Sequence, residues 1–293
     1  GSVPERSGIV PLRPAGPDDP ALPPWSKAFL ALMRAVYAQN TGDIDSLGHE
    51  SERALAIFGT LGDVWGTALA GQMRSEWLML RGRLDEALYV VLTGTDSMSG
   101  LISDWEQIQR RATAIGLLVR LGRLEEARER LSELRVLVAA EGSQRALVQC
   151  GFVEAEVELA VGDGPAALRA LDVVPPEGHS ERPHWAAMVQ ARRAQALVLC
   201  GRSDEARDAV RVALPLAVRS ADQPILAEAL LGLTAWLAMT SRTEAARQSF
   251  GLAVRLRGQA DRTDPTFQRL ARTLGEPEVA GAGELTALMA LLD

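Results

Sequence analysis

A dipeptide that recurs at a fixed spacing constrains this chain more than any other feature. Gly42-Asp43, Gly82-Arg83, Gly122-Arg123, Gly162-Asp163 and Gly201-Arg202 are followed by Ser241-Arg242 at the next place, in steps of 40, 40, 40, 39 and 40 residues. Self-similarity at such a period marks a repeat array, in which each unit is a supersecondary element that buries its apolar face only against its neighbours. Two further columns keep the register. Five residues after the anchors stand Leu47, Ala87, Ala127, Ala167, Ala206 and Ala246; twelve after stand Ala54, Gly94, Leu134, Val174, Ala213 and Ala253.

Each part of the unit has a physical task. A glycine just past a helix end can take the left-handed conformation that closes the helix. Acidic residues follow in Leu84-Asp85-Glu86, Leu124-Glu125-Glu126 and Ser203-Asp204-Glu205, where they favour the positive end of a new helix. Ser203 and Thr243 read as N-caps of such helices. The small residue five after the anchor lets two helices approach closely, while Val91, Leu131, Leu171, Val210 and Phe250 supply the buried stripe. Upstream, Leu78, Leu118, Leu197 and Leu237 share a column four before the anchor. Tyr37, Trp77, Leu117, Val157, Ala196 and Trp236 share the next column inward, so those aromatics read as core.

The expected fold is therefore all-α, with antiparallel helix pairs at about 24–60, 64–97, 102–140, 143–173, 183–220 and 223–257 and two shorter capping helices near 265–274 and 284–292. Pro165 and Pro175 bracket the shortest second helix, the first tolerated at its start and the second ending it. The implied division is a leader over residues 1–23, six helix pairs over 24–264 and a capping region over 265–293. The leader holds six prolines and reads as extended. Gly1-Ser2 has the form of a tag remnant, which places the natural start upstream.

Composition narrows the function classes. With 47% hydrophobic and 24% charged residues among 293, the chain can bury a sizeable core. Its formal charge of −7 argues against a phosphate-gripping face, so this segment is not expected to bind nucleic acid directly. Of 31 basic residues, Lys27 is the single lysine. Cys150 and Cys200 are too few for a disulfide framework and read as buried thiols in a reducing, cytoplasmic setting. The apolar run Ile225–Met239 is broken by Glu228 and falls short of the roughly 20 residues needed to span a bilayer, so no membrane association is expected.

Motifs for chemistry are missing. The sequence has no GxxxxGK[ST], HExxH or GxSxG. His179 and His184 lie in the Gly178–His184 loop without a third well-spaced soft ligand, so neither a metal nor any other cofactor is expected. Glu154, Glu156 and Glu158 read as a charged helix face. The chain is not expected to be an enzyme.

The Gly-to-Ala spacing of five in Gly82-Arg83-Leu84-Asp85-Glu86-Ala87 resembles the tetratricopeptide (TPR) signature, in units longer than the usual 34 residues. The ending Arg257-Gly258-Gln259-Ala260-Asp261-Arg262-Thr263-Asp264-Pro265 is the more specific element. Together with the loop Thr60–Gly66 it resembles the C-terminal region of actinobacterial transcription regulators, namely AfsR-like members of the Streptomyces antibiotic regulatory protein group and MalT-like large LuxR regulators. The resemblance spans roughly residues 24–292. It implies a right-handed α-α superhelix of about six TPR-like pairs, acting as a sensor or autoinhibitory module beside DNA-binding and ATPase domains. A stand-alone scaffold or peptide receptor is the alternative.

In TPR superhelices the first helix of each pair lines the concave groove. Carried onto this register, that implies a lining that includes Phe29 and Gln109, with Gln149 in the same column thirteen before the anchors. Gln72 and Phe152 stand ten before, and Glu76, Glu156 and Gln195 six before. A further polar column, eight before, carries Arg34, Arg74, Glu154 and Arg193. Such a lining suits a protein or peptide segment, whose amides can meet Gln and whose basic groups can meet Glu. That segment can belong to another domain of the same polypeptide, and a small-molecule effector is also compatible. The simpler reading of these columns is as solvated helix faces.

Overall fold

The computed structural model describes residues 22–97, 103–173, 183–279 and 284–292. Among them there are helices and no strands. Six pairs run in chain order: α1 (Pro24–Thr41) with α2 (Ile44–Leu61), α3 (Val64–Leu80) with α4 (Leu84–Ser97), and α5 (Asp104–Arg120) with α6 (Leu124–Glu141). They are followed by α7 (Gln144–Val161) with α8 (Gly164–Leu171), α9 (Pro183–Leu199) with α10 (Ser203–Ser220), and α11 (Gln223–Met239) with α12 (Thr243–Arg257). Two shorter helices, α13 (Pro265–Leu274) and α14 (Leu285–Met289), complete the chain, the latter continuing into a 3-10 turn at Ala290–Leu292. The segments 1–21 and 174–182, which include most of the expected leader, Pro175 and His179, lie outside the described residues.

The anchors close the first helix of each pair. Gly42, Gly82, Gly122, Gly162 and Gly201 all have φ between 70° and 86°, and Ser241 adopts φ 61°. The residue after the anchor is the N-cap of the second helix, which explains why it is Asp or Arg. Asp43 and Asp163 accept the N–H of Ser46 and Ala166. Arg83 and Arg202 instead reach forward to the acid three residues on, Nε donating to Glu86 and Glu205 at 2.6 Å. Ser203 and Thr243 are consequently the first helical residues and not caps, because Arg202 and Arg242 hold the cap position.

The columns pack as their spacing requires. Leu47, Ala87, Ala127, Ala167, Ala206 and Ala246 have no exposed surface at all. Leu78, Leu118, Leu197 and Leu237 are also buried. The aromatic column holds with one exception. Trp236 is buried, and Trp77 lies so close to α2 that a Cβ on Gly48 would stand 2.2 Å from its Nε1. Tyr37, expected in the core, is 71% exposed. Trp77 packs on the second helix of the pair before it, and the first pair has no such predecessor among the described residues, so the Tyr37 ring meets solvent.

The first helices form an inner layer. α1 packs on α3, α5 on α7, α7 on α9 and α9 on α11, and α11 returns to α1. The backbones of the first and sixth pairs meet: a Cβ at Gly258 would lie 2.1 Å from the Gly42 carbonyl oxygen, and one at Gly42 would lie 2.6 Å from that of Leu256. The side-chain amide of Gln223, turned with its nitrogen inward, spans the same junction to Thr41 O at 2.9 Å and Leu256 O at 3.1 Å. The six pairs thus close on themselves, and in that closed layer α3 and α5 do not pack along their lengths.

Candidate functional site

The interior of the closed layer divides into a filled half and an open half, and the expected groove residues fall into both. The filled half is built around the segment joining α12 to α13. Asp261 and Asp264 are 7% and 4% exposed, which requires partners because an unpaired buried carboxylate is strongly disfavoured. Arg120, at the end of α5, supplies them. Its Nη1 donates to both Asp261 oxygens at 2.8 and 2.9 Å and to Thr263 Oγ1 at 3.0 Å, and its Nη2 lies 3.5 Å from Asp264. Asp264 also caps α13 through the Phe267 N–H at 2.8 Å. On the α3 side, Gln259 Nε2 donates to the Leu80 carbonyl, and the Arg257 guanidinium stands 3.2 Å from Asp261 and 3.8 Å from Glu76. The 257–264 segment is therefore a wedge that joins the C-terminal ends of α3 and α5.

The network continues around the inner layer. Thr266 Oγ1 donates to Gln195 Oε1 at 2.9 Å, and Gln195 Nε2 donates to Glu228 at 2.9 Å. Arg192 lies 3.2 Å from Glu228 and 3.9 Å from Glu156, while Arg269 donates to Leu159 O at 2.8 Å. Five carboxylates, on Glu76, Glu156, Glu228, Asp261 and Asp264, thus share the interior with the guanidiniums of Arg120, Arg192, Arg257 and Arg269. Their balance is uneven. Burial alone would raise the Asp261 carboxyl, but Arg120 and Arg257 outweigh it and hold the group below its ordinary range. At Glu76 burial prevails over the same two arginines, and its carboxyl is pushed up.

The open half lies between the N-terminal halves of α3 and α5, where a cavity of about 690 Å³ is bounded by α2, α3, α4 and α5. From α5 it is lined by Glu106, Gln109, Arg110 and Thr113, spaced three and four apart so that they share one helix face. From α3 come Trp65, Ala68, Leu69 and Gln72. Trp105 completes the wall, its ring covered by the Arg145 guanidinium 3.4 Å from the centroid.

Of the groove residues expected from the register, Gln72 and Gln109 line this cavity. Glu76, Glu156 and Gln195 belong to the filled half, where the occupant is the chain itself. Phe152 is buried there under Arg192, whose guanidinium carbon stands 5.1 Å from the ring centroid. Phe29 stacks on Trp25 at 5.3 Å, and Gln149 is half-buried on α7. The column eight before the anchors is a seam between helices and not part of the lining: Arg34 meets Glu50, Arg74 meets Glu52, Arg135 meets Glu154 and Arg193 meets Asp172. In the last three cases the partner lies on, or just past, the second helix of the preceding pair, which is the surface this helix face rests on.

Sequence reasoning passed over Arg120, Arg192, Arg110, Trp65 and Trp105. A signal existed for the first, since the Arg257–Pro265 motif carries two aspartates and only Arg257 of its own arginines reaches one of them, Asp261 at 3.2 Å.

No helix among the described residues is long and apolar enough to cross a membrane, and no cluster there of three or more His, Cys, Asp or Glu is arranged to hold a metal ion. Cys150 and Cys200 are free thiols, the first buried. No protein-family model matches this chain, and no curated protein matches it.

Proposed function

We propose that the chain is a TPR-like sensor module, a right-handed superhelix of six helix pairs with capping helices, which controls other domains of a bacterial transcription regulator in the cytoplasm. Its role in this reading is binding and not catalysis. The observation that carries it is the division of the interior. One half is held by the chain's own 257–264 segment and the other is an open cavity on the same two helices, α3 and α5. A ligand in the cavity and the wedge below it act on one pair of helices, so occupancy can bias the position of the wedge, as a switch requires differential contacts in two states. The resemblance of the 40-residue units and of the Arg257–Pro265 tail to actinobacterial regulators supports the regulatory setting.

The reading frame upstream of Val3 in the native gene tests it. DNA-binding and ATPase regions encoded there are the expected result. A native start close to Val3, with neither region, overturns the regulator and leaves a stand-alone scaffold.

A further inference from the structure

The open cavity carries a chemistry more specific than binding in general. Its volume of about 690 Å³ lies within the range of small-molecule sites, and α2, α3, α4 and α5 bound it on several sides, which suits a compact ligand better than an extended chain. The α3 and α4 walls are mainly apolar, through Trp65, Ala68, Leu69 and Val90. The α5 wall starts with the Trp105 indole and is otherwise polar.

That wall carries one carboxylate, Glu106, and one guanidinium, Arg110, four residues apart and not joined in an ion pair. Glu106 spends its carboxylate on the helix start, where Oε2 accepts the Ser103 N–H and hydroxyl, both at 2.9 Å. Arg110 has neither an ion pair nor a hydrogen bond among the described residues, and its half-burial depresses the guanidinium, opposed by the nearby Glu106 charge. Other arginines of the inner helices are matched: Arg34, Arg74, Arg111, Arg120, Arg192 and Arg193 each pair with an acid. A half-desolvated guanidinium facing an apolar chamber recovers most by meeting a carboxylate, to which it can donate two hydrogen bonds at once.

We propose that this cavity binds an amphipathic organic acid, with its carboxylate on Arg110, its apolar body against Trp65 and Trp105, and any further polar group within reach of Gln72 or Gln109. The proposal rests on the sensor reading for its biological purpose, but the site itself stands on geometry alone. One carboxylate on an apolar body of up to drug-like size satisfies each wall of the chamber. A neutral apolar molecule leaves Arg110 unmatched, and a polyanion exceeds the one guanidinium that the described lining residues supply.

Calorimetric titration of the full chain with decanoate and with 4-phenylbutyrate, each beside its primary amide, tests this. The acids are expected to bind about tenfold or more tightly than the amides. Arg110→Gln is expected to abolish that difference while leaving amide binding and the melting temperature unchanged. Ala68→Phe, which fills the chamber from α3, is expected to remove binding of both. Equal affinity for acid and amide, an acid preference that survives Arg110→Gln, or no binding of either acid to folded protein overturns the proposal. None of these results touches the sensor reading, which fails on the upstream gene and not on the ligand class.

Discussion

Ala127 shows how little room the repeat leaves at a single residue. It has no exposed surface on α6, which packs against α5, so Ala127→Leu is expected to destabilise by about 1–3 kcal/mol through overpacking. Denaturant unfolding checks it, and a variant as stable as the parent contradicts the register. The interior carboxylates make a sharper pair, because their shifts have opposite signs. The depressed Asp261 group contributes stability above the ordinary carboxylate pKa, and that stability is lost as pH falls through its lower folded value. The raised Glu76 group behaves inversely, since any stability it gives is present at low pH and lost as pH rises through its folded value. Asp261→Asn therefore leaves buried Arg120 short of its partner and is expected to cost about 3–5 kcal/mol at pH 7, a deficit that narrows on acidification below the ordinary carboxylate range. Glu76→Gln is expected to leave stability at pH 7 equal or higher. Urea unfolding of both variants at pH 7 and pH 3 separates the two signs.

At the scale of elements, the helix pairs were legible and their closure was not. Gly82, Gly122 and Gly201 announce helix ends because positive φ is something glycine reaches without strain, and the alanines five residues on announce a close approach. These are local requirements, so the sequence displays them at fixed distances. The junction of α1 with α12 depends instead on how far each pair is rotated against the last, which the 40-residue period does not encode. Gly258 belongs to that junction. With φ 86° and its Cα against the Gly42 carbonyl, Gly258→Ala is expected to destabilise by more than the roughly 1 kcal/mol of an ordinary glycine substitution, because Gly42 backbone must move as well. Thermal unfolding beside Gly122→Ala, which has φ 73° and open space around it, provides the comparison. The candidate site divides similarly. Gln72 and Gln109 follow from the columns, but the chamber they line exists because α3 and α5 stand apart, and it is the 257–264 wedge that joins those helices lower down.

At the scale of the molecule, closure changes what kind of array this is. An open solenoid is stabilised by nearest neighbours, and removing its last unit shortens it without reshaping the rest. Here the last segment touches α3, α5 and α9, so a chain ending at Arg257 is expected to expand beyond the loss of mass, measurable as a larger radius of gyration in X-ray scattering. An unchanged radius for the remaining residues would mean that the pairs hold their arrangement without the wedge. The contacts through which the wedge joins α3 and α5 link residues 179 and 141 apart, Gln259 with Leu80 and Asp261 with Arg120, so they are among the last the chain can make. A protein emerging from the ribosome folds from its N-terminus, and helix pairs one to five can assemble as they appear. Until residues 257–264 are made, the nascent chain carries Glu76 without Arg257, Arg120 without Asp261 and Asp264, and the α3–α5 breach without its wedge. The order of synthesis thus makes the wedge the last part of the inner layer to be put in place.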